Sequence, residues 1–183
     1  MREKIIQKRL RIAETLNELL ADQDFQAITV LAVCEKSGVP RASFYRQFYN
    51  LREVGIWLFD YLLDKNLTSE TIQGGWEVAL ESLYNDLLHW KAFFVSFFRF
   101  DGYDSVFSHA ARSSVKNFLL TAREKLGREI TEHEKNILRY HGYVQASLTA
   151  KWATDGMTIP PKEMASIMIQ FLPALMREYI EPR

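Results

Sequence analysis

Arginine, tyrosine, serine and glutamine are concentrated in one short segment after Gly38. The segment Arg41-Ala-Ser-Phe-Tyr-Arg-Gln47 carries two guanidinium groups, two hydroxyls and an amide. An arginine fork can bridge the O6 and N7 atoms of guanine or grip a phosphate, and Ser, Tyr and Gln side chains donate to phosphate oxygens. If Phe44 and Phe48 form the inner face of a helix, we expect the outer face to display Arg41, Ser43, Tyr45, Arg46 and Gln47. This chemistry suits double-stranded DNA.

The residues before this segment predict a helix that would position it. Thr29 can cap that helix through its hydroxyl, and Val33 and Cys34 belong to its buried stripe. Gly38 can end it in the left-handed conformation, and Pro40 suits the first turn of the next helix. Two short helices joined by a tight turn form a helix-turn-helix, whose second helix enters the major groove.

The alternative is an ordinary helical hairpin with a solvated, charged face. The charge distribution bears on this choice, because the whole chain has a formal net charge of zero but residues 1–52 carry net +3 and residues 53–183 net −3. A modest basic excess in the segment that holds the polar face favours a phosphate-binding surface.

Residues 9–55 resemble the N-terminal DNA-binding domain of the TetR family of transcriptional regulators. The resemblance is carried by Ile12, Leu16, Leu19 and Leu20 in helix 1, by Phe25, Thr29-Val30, Gly38-Val39 and Arg41, and by the block Phe44-Tyr45-Arg46-Gln47-Phe48. It implies a DNA-binding domain over residues 1–50 and an all-helical effector-binding and dimerisation domain over 51–183. It also implies base contacts from Arg41, Ala42 and Ser43, and phosphate contacts from Thr29, Tyr45, Arg46, Gln47 and Arg52.

Several positions depart from the family pattern. Leu31 and Leu51 stand where an arginine and a lysine are frequent, with Arg52 able to replace the lysine. Pro40 replaces the usual serine cap, Gln47 a histidine, and Asp24 a frequent glycine. These departures motivate a second hypothesis, in which the fold is an adaptor or coactivator that binds a ligand or protein and has little DNA affinity.

The remainder of the chain predicts helices only, so the fold class is all-α. Asn50-Leu-Arg-Glu53 is a capping-box sequence and predicts a helix that begins there and runs to about Leu67. The helical pattern is interrupted at Gln73-Gly74-Gly75. Helical periodicity resumes at Val78, Asp101-Gly102 interrupts it, and further helices are predicted over about 104–125, 131–153 and 161–179.

The last two predicted helices suggest a homodimer. Small residues recur every four positions on one of them, and an apolar stripe wider than a single core face follows on the other. In the TetR family two such helices pair with their mates. The residues expected at this seam are Gly142, Ala146, Ala150, Met164, Met168, Phe171 and Leu175.

The middle of the chain is dense in aromatic residues. These residues could simply pack a core, whereas the resemblance implies that they enclose a pocket for an apolar effector. The candidate pocket residues are Trp57, Tyr61, Tyr84, Trp90, Phe94, Phe97, Phe98, Tyr103, Phe107 and Tyr143. His89, His109 or His141 would supply a polar handle. The histidines lack metal-site spacing, so neither a metal nor another cofactor is expected.

Other classes of protein receive little support. The single Cys34 is expected to be a small core residue, and the charged N-terminus does not resemble a signal peptide. The run Phe93–Phe98 is too short to span a membrane, so a cytoplasmic protein is expected. Ser108-His109 lacks an evident acid partner, and no enzymatic activity is expected. The main hypothesis is a homodimeric regulator, most often a repressor, released from its DNA operator by an effector.

Overall fold

The structure is a computed structural model that describes residues 2–67, 75–99 and 106–180. Those residues form α-helices and one 3-10 turn and contain no strand, which confirms the all-α expectation. The helices are α1 (Arg2–Leu20), α2 (Val30–Ser37), α3 (Arg41–Tyr45), α4 (Leu51–Asn66), α5 (Trp76–His89), α6 (Lys91–Phe98), α7 (Val106–Leu126), α8 (Glu132–Thr154), α9 (Pro161–Gln170) and α10 (Ala174–Ile180). The 3-10 turn is Phe25–Ala27, and no helix in the described ranges is long and apolar enough to cross a membrane.

The first three helices pack around an apolar centre. Ile12 and Leu16 of α1 are fully buried together with Val33 of α2 and Phe44 of α3. Cys34 is also buried, in agreement with its interpretation as a small core residue. Because apolar side chains of the three helices share one centre, the orientation of α3 depends on α1 and α2 rather than on its own five residues.

Helix α4 connects these helices to the rest of the molecule and contacts α1, α5, α6 and α7. Its start is capped by the Asn50 side chain, whose Oδ1 accepts from the Glu53 amide at 3.1 Å. The Glu53 carboxylate accepts from the Tyr49 amide rather than from that of Asn50, so only one of the two hydrogen bonds of the predicted capping box is present. Helix α4 buries Val54, Leu58 and Leu62, and it is therefore a core element as well as a connection.

The remaining helices form a bundle in which α7 pairs with α8 and α5 pairs with α9. Thr131 and Glu134 form a capping box at the start of α8. At Gly142 the two long helices approach closely, because a Cβ there would lie 2.9 Å from the Val115 backbone nitrogen of α7. This contact requires a residue without a side chain.

Two helix boundaries differ from the expectations. The final segment is not one helix from 161 to 179, since α9 ends at Gln170 and α10 begins at Ala174. Pro173 explains the break: it has no amide hydrogen, and its ring would clash with a carbonyl one turn earlier. A second break at Trp90 separates α5 from α6. The predicted interruptions at Gln73-Gly74 and Asp101-Gly102 lie outside the described residues.

Candidate nucleic-acid interface and internal cavity

The turn between α2 and α3 has the predicted local structure. The Thr29 hydroxyl accepts from the Ala32 amide at 3.1 Å and caps α2. Gly38 has φ 67° and ψ 19°, a left-handed conformation that glycine adopts without a Cβ clash. The carbonyl of Pro40 accepts from the Ser43 and Phe44 amides at 2.7 and 3.0 Å, so Pro40 caps α3 rather than forming part of it.

An exposed cationic surface surrounds α3. Arg41, Ala42 and Arg46 are exposed, as are Thr29 and Arg52. In the described part of the chain, none of these arginines forms an ion pair. Three guanidinium groups are therefore free to meet an anion.

The Tyr45 side chain is 48% exposed and contacts Arg41. The Arg41 guanidinium carbon lies 5.7 Å from the centre of the Tyr45 ring, within the range of a cation–π contact. Such a contact restricts the arginine side chain while leaving its N–H groups in solvent. The two residues thus form a pre-oriented pair on the outer side of α3.

The prediction that Ser43 is displayed to solvent is wrong. Ser43 is 3% exposed, and its hydroxyl accepts from Lys8 Nζ of α1 at 3.1 Å. Because the Lys8 side chain of α1 reaches Ser43, this serine contributes to the contact between the helices and is not placed at a DNA base in this arrangement.

Gln47 is partly buried and bound to α1 through Arg9. The Arg9 Nε atom donates to Gln47 Oε1 at 3.0 Å, and its Nη2 atom donates to the Gln47 carbonyl oxygen at 3.4 Å. Neither Lys8 nor Arg9 was identified from the sequence as a supporting residue. The roles of Lys8 and Arg9 could not be predicted from neighbouring residues, because their partners Ser43 and Gln47 are more than thirty residues away along the chain.

The Arg9 side chain also connects the segment that follows α3 to α4. Its guanidinium carbon lies 5.2 Å from the centre of the Phe48 ring and 5.6 Å from that of Trp57. Trp57 in turn stacks on Tyr61 with ring centres 5.3 Å apart. A continuous set of side-chain contacts therefore runs from the end of α3 along α4.

An internal cavity lies between α4, α5, α7 and α8, with a volume of about 40 Å³. Its wall is mostly apolar and includes Leu63, Trp76 and Phe118, with Trp76 and Phe118 stacked at 6.2 Å. The polar lining residues are Tyr84, Ser114, Asn117, Gln145 and Thr149.

Burial affects the ionisable groups in and beside the cavity. It raises the pKa of Tyr84, whose hydroxyl lies 2.9 Å from Thr149 Oγ1, and it lowers the pKa of His141 to about 4. His141 contacts Phe118 and Gln145 and does not line the cavity itself. Both shifts oppose charge, which identifies this part of the bundle as an environment of low polarity.

Of the predicted pocket residues that the structure describes, Tyr84 lines this cavity and the others do not. Trp57 and Tyr61 belong to the contacts along α4, and Tyr143 is 45% exposed. Trp90, Phe94, Phe97 and Phe98 are buried, whereas Phe107 is partly buried. Tyr103 lies outside the described residues. The described candidates other than Tyr84 do not line the cavity, because most of these large aromatic side chains fill the core, as their size favours, and the space lies elsewhere.

The predicted dimer residues divide between the interior and the surface. Gly142, Ala146, Met164 and Met168 are buried inside the subunit, and Ala150 and Leu175 are partly buried. Phe171 is 54% exposed. Gly142 packs on α7 of the same chain and Ala146 is buried within the subunit, so the assignment of these two residues to a dimer seam is corrected. The adjacent face of α8 instead exposes Tyr140, Tyr143 and Val144.

His109 does have an acid partner, contrary to the expectation from the sequence. Its Nε2 atom lies 2.9 Å from both Asp60 carboxylate oxygens and 3.2 Å from the Ser113 hydroxyl, which donates to Asp60 at 2.9 Å. A nucleophile relay needs the acid on one ring nitrogen and the serine on the other. Here both meet the same nitrogen, and the cluster joins α4 to α7.

These features define an all-α protein with an N-terminal helix-turn-helix followed by a helical bundle. The solved structure of the dihydroxyacetone kinase operon activator DhaS shares this fold, with a TM-score of 0.69 and 20% sequence identity. The match covers 95% of this chain and 97% of that chain. No protein-family model matches the chain, and no curated protein sequence matches it. The similarity to DhaS therefore shows the fold.

Proposed function

We propose that this protein is a TetR-type, DNA-binding transcriptional regulator that acts as a homodimer and responds to a small-molecule effector. The observation that carries the proposal is the exposed group of Arg41, Tyr45 and Arg46 on α3, held from behind by α1. Arg41 and Ala42 would reach base edges, while Thr29, Tyr45, Arg46 and Arg52 would contact phosphates.

A homodimer would give this short recognition helix a second half-site. Two-fold symmetry places a pair of recognition helices about 34–36 Å apart on successive major grooves. Tyr140, Tyr143 and Val144 follow a helical i, i+3, i+4 spacing and are 72%, 45% and 42% exposed, so they are the apolar surface of α8 that association would cover. Val144→Arg should therefore yield monomers in sedimentation velocity, whereas Lys162→Ala on α9 should leave dimers intact.

We propose that the protein acts as a repressor, because a regulator bound to its DNA operator can block transcription without contacting any other protein. A second candidate is an activator or coactivator, which is favoured by two observations. The fold is shared with a protein described as an operon activator, and Leu31 is 50% exposed on α2 where the resemblance implies an arginine. An activator that binds a protein partner needs less direct DNA affinity.

Mobility-shift titration with the DNA upstream of the protein's own gene separates these candidates. The regulator proposal predicts a shifted complex that weakens as salt rises, and it predicts loss of the complex in Arg41→Ala/Tyr45→Phe. Arg123→Ala is the matched control, because Arg123 is an exposed arginine of α7 paired with Glu129. No shift with the native protein, together with a protein partner recovered in pull-down, would support the coactivator candidate instead.

A further inference from the structure

The charges along α1 and the turn after it are divided between two ends. Residues 1–13 contain five basic residues and one acidic residue, whereas residues 14–24 contain four acidic residues and no basic one. The helix macrodipole favours the reverse order, because it stabilises anionic side chains at the N-terminus of a helix and cationic ones at the C-terminus. The basic end of α1 is therefore suited to an anionic partner rather than to the stability of the helix.

Three of these basic residues form one exposed stripe on α1. Lys4, Lys8 and Arg11 follow the i, i+4, i+7 spacing that places side chains on the same face of a helix, and all three are exposed. In the described part of the chain none of them forms an ion pair. The stripe rises about 10 Å along the helix, a length similar to three consecutive steps of a DNA strand at about 3.4 Å each.

The stripe lies beside the recognition helix. Lys8 Nζ lies 3.1 Å from Ser43 Oγ of α3, and Arg11 Nη2 lies 3.4 Å from the position that a Cβ at Gly38 would take, in the turn between α2 and α3. The acidic end lies elsewhere, because Asp22 borders a cleft with α6. The positive end of α1 is therefore the end next to α3, and the negative end is next to the bundle.

The donors of this stripe can reach a phosphate without releasing α3. An ammonium group has three N–H donors, and the contact with Ser43 uses one of those on Lys8. Lysine and arginine donors bind phosphate oxygens in protein–DNA complexes, where such contacts fix the register of the protein on the duplex. A phosphate bound by Lys8 would thus be connected to α3 through Ser43.

We propose that Lys4, Lys8 and Arg11 form a phosphate-binding track on α1, which contacts the DNA backbone beside the major groove that α3 enters. The inference deepens the proposed function and rests on it, because it adds a second DNA-contacting element to the exposed side of α3. The track neutralises backbone charge without reading bases, so it strengthens binding to every duplex by a similar factor. Within it, Lys8 joins a phosphate to Ser43 and fixes the recognition helix relative to the backbone.

The salt dependence of DNA binding tests the track, by fluorescence anisotropy on the full chain with the DNA upstream of its own gene. Lys4→Gln/Arg11→Gln should flatten the slope of log K against log salt by about 3.6, since a homodimer loses two phosphates in each half-site at about 0.9 for each phosphate. Lys91→Gln/Arg99→Gln is the matched control. It removes the same charge from exposed positions at the two ends of α6, which form no ion pair within the described residues, and its slope should equal the native one.

An unchanged slope in Lys4→Gln/Arg11→Gln overturns the proposal. Equal flattening in the control also overturns it, because net charge rather than contact would then set the slope. No binding by the native protein at low salt refutes the proposed function and the track with it, whereas the first two outcomes refute the track alone. Urea denaturation of Lys4→Gln/Arg11→Gln should show no loss of stability, since the macrodipole disfavours cations at this end of α1.

Competition with a scrambled duplex of the same length separates the track from base readout. Lys4→Gln/Arg11→Gln should weaken binding to both duplexes by a similar factor and leave the preference for the upstream DNA unchanged. Arg41→Ala, which removes a proposed base contact, should reduce that preference at least about fivefold. A similar loss of preference in Lys4→Gln/Arg11→Gln would assign the stripe to base edges and overturn the proposal.

Lys8→Met and Ser43→Ala separate the two roles of Lys8. Both variants remove the hydrogen bond between α1 and α3, but only Lys8→Met removes a charge. The slope should flatten by about 2 in Lys8→Met, for one phosphate in each half-site, and should stay at the native value in Ser43→Ala. Equal slopes in the two variants would limit Lys8 to holding α3 and would remove it from the track.

Discussion

Gly142→Ala tests whether the small-residue ridge of α8 packs within the subunit. The added Cβ would overlap the Val115 Cγ2 methyl and would lie 2.9 Å from the Val115 nitrogen and 3.2 Å from its Cα. A helical valine has one strongly preferred rotamer, and a backbone atom moves only with its helix, so α7 and α8 must separate. Overpacking of this kind costs up to about 3 kcal/mol, and the higher helix propensity of alanine returns about 1 kcal/mol. We expect a net loss of about 2 kcal/mol in the free energy of unfolding.

Urea denaturation measures this loss, and sedimentation velocity shows whether association changes with it. Ser147→Ala on the exposed side of α8 is the control, because it alters helix propensity without adding an internal contact. Val115→Ala in the Gly142→Ala background should recover part of the loss, with a coupling energy of about 1 kcal/mol. The reasoning is refuted if Gly142→Ala unfolds like the native protein but dissociates a dimer, since Gly142 would then lie between subunits.

Three further predictions concern DNA binding and pH. Leu31→Arg should strengthen DNA binding and steepen its salt dependence, as measured by fluorescence anisotropy. The slope of log K against log salt should steepen by about 0.9 for each additional phosphate that the protein neutralises. An unchanged slope would show that residue 31 of α2 does not contact DNA phosphate. Arg9→Met should weaken DNA binding by freeing Gln47 and the end of α3, while Lys36→Met, which breaks only an exposed ion pair, should not; equal effects would argue against a positioning role for Arg9. Burial lowers the pKa of His141 from 6.5 to about 4, so the unfolded chain takes up the proton first as the pH falls. The free energy of unfolding should therefore decrease between about pH 6.5 and pH 4, by at most about 3 kcal/mol. In urea titrations His141→Leu should show a flatter dependence of this free energy on pH, and an equally steep dependence would contradict the assignment to His141.

The local features of the helix-turn-helix could be predicted because they depend on neighbours in sequence. The Thr29 cap, the left-handed Gly38 and the Thr131–Glu134 capping box each involve residues within four positions of one another. The burial of Ser43 could not be predicted in the same way. Its environment depends on Lys8 of α1, which is 35 residues away in the sequence.

The bundle shows the same division between local pattern and tertiary packing. Small residues on α8 predicted a close helix contact, but their spacing does not say whether the neighbouring helix belongs to the same chain, and Gly142 contacts α7. The break at Pro173 was accessible from the sequence, because proline cannot continue a helix without losing a hydrogen bond, and it was missed.

The cavity was the least predictable feature. Its location depends on how α4, α5, α7 and α8 diverge, and its polar lining on α7 comes from Ser114 and Asn117, whose residue types are common on helix surfaces. Apart from Tyr84, the aromatic residues predicted for the pocket include stacked pairs away from the cavity, such as Phe94 and Phe98, with ring centres 5.9 Å apart. Aromatic density therefore identified the core and not the space within it.

The central claim is that α3 and its exposed arginines bind DNA. The most direct measurement is the salt dependence of binding to the upstream DNA for the native protein, Arg46→Ala and Arg123→Ala. A homodimer that no longer neutralises one phosphate in each half-site should show a slope flatter by about 2 for Arg46→Ala, with no change for Arg123→Ala. An identical slope in all three proteins, or no binding by the native protein at low salt, would contradict the claim.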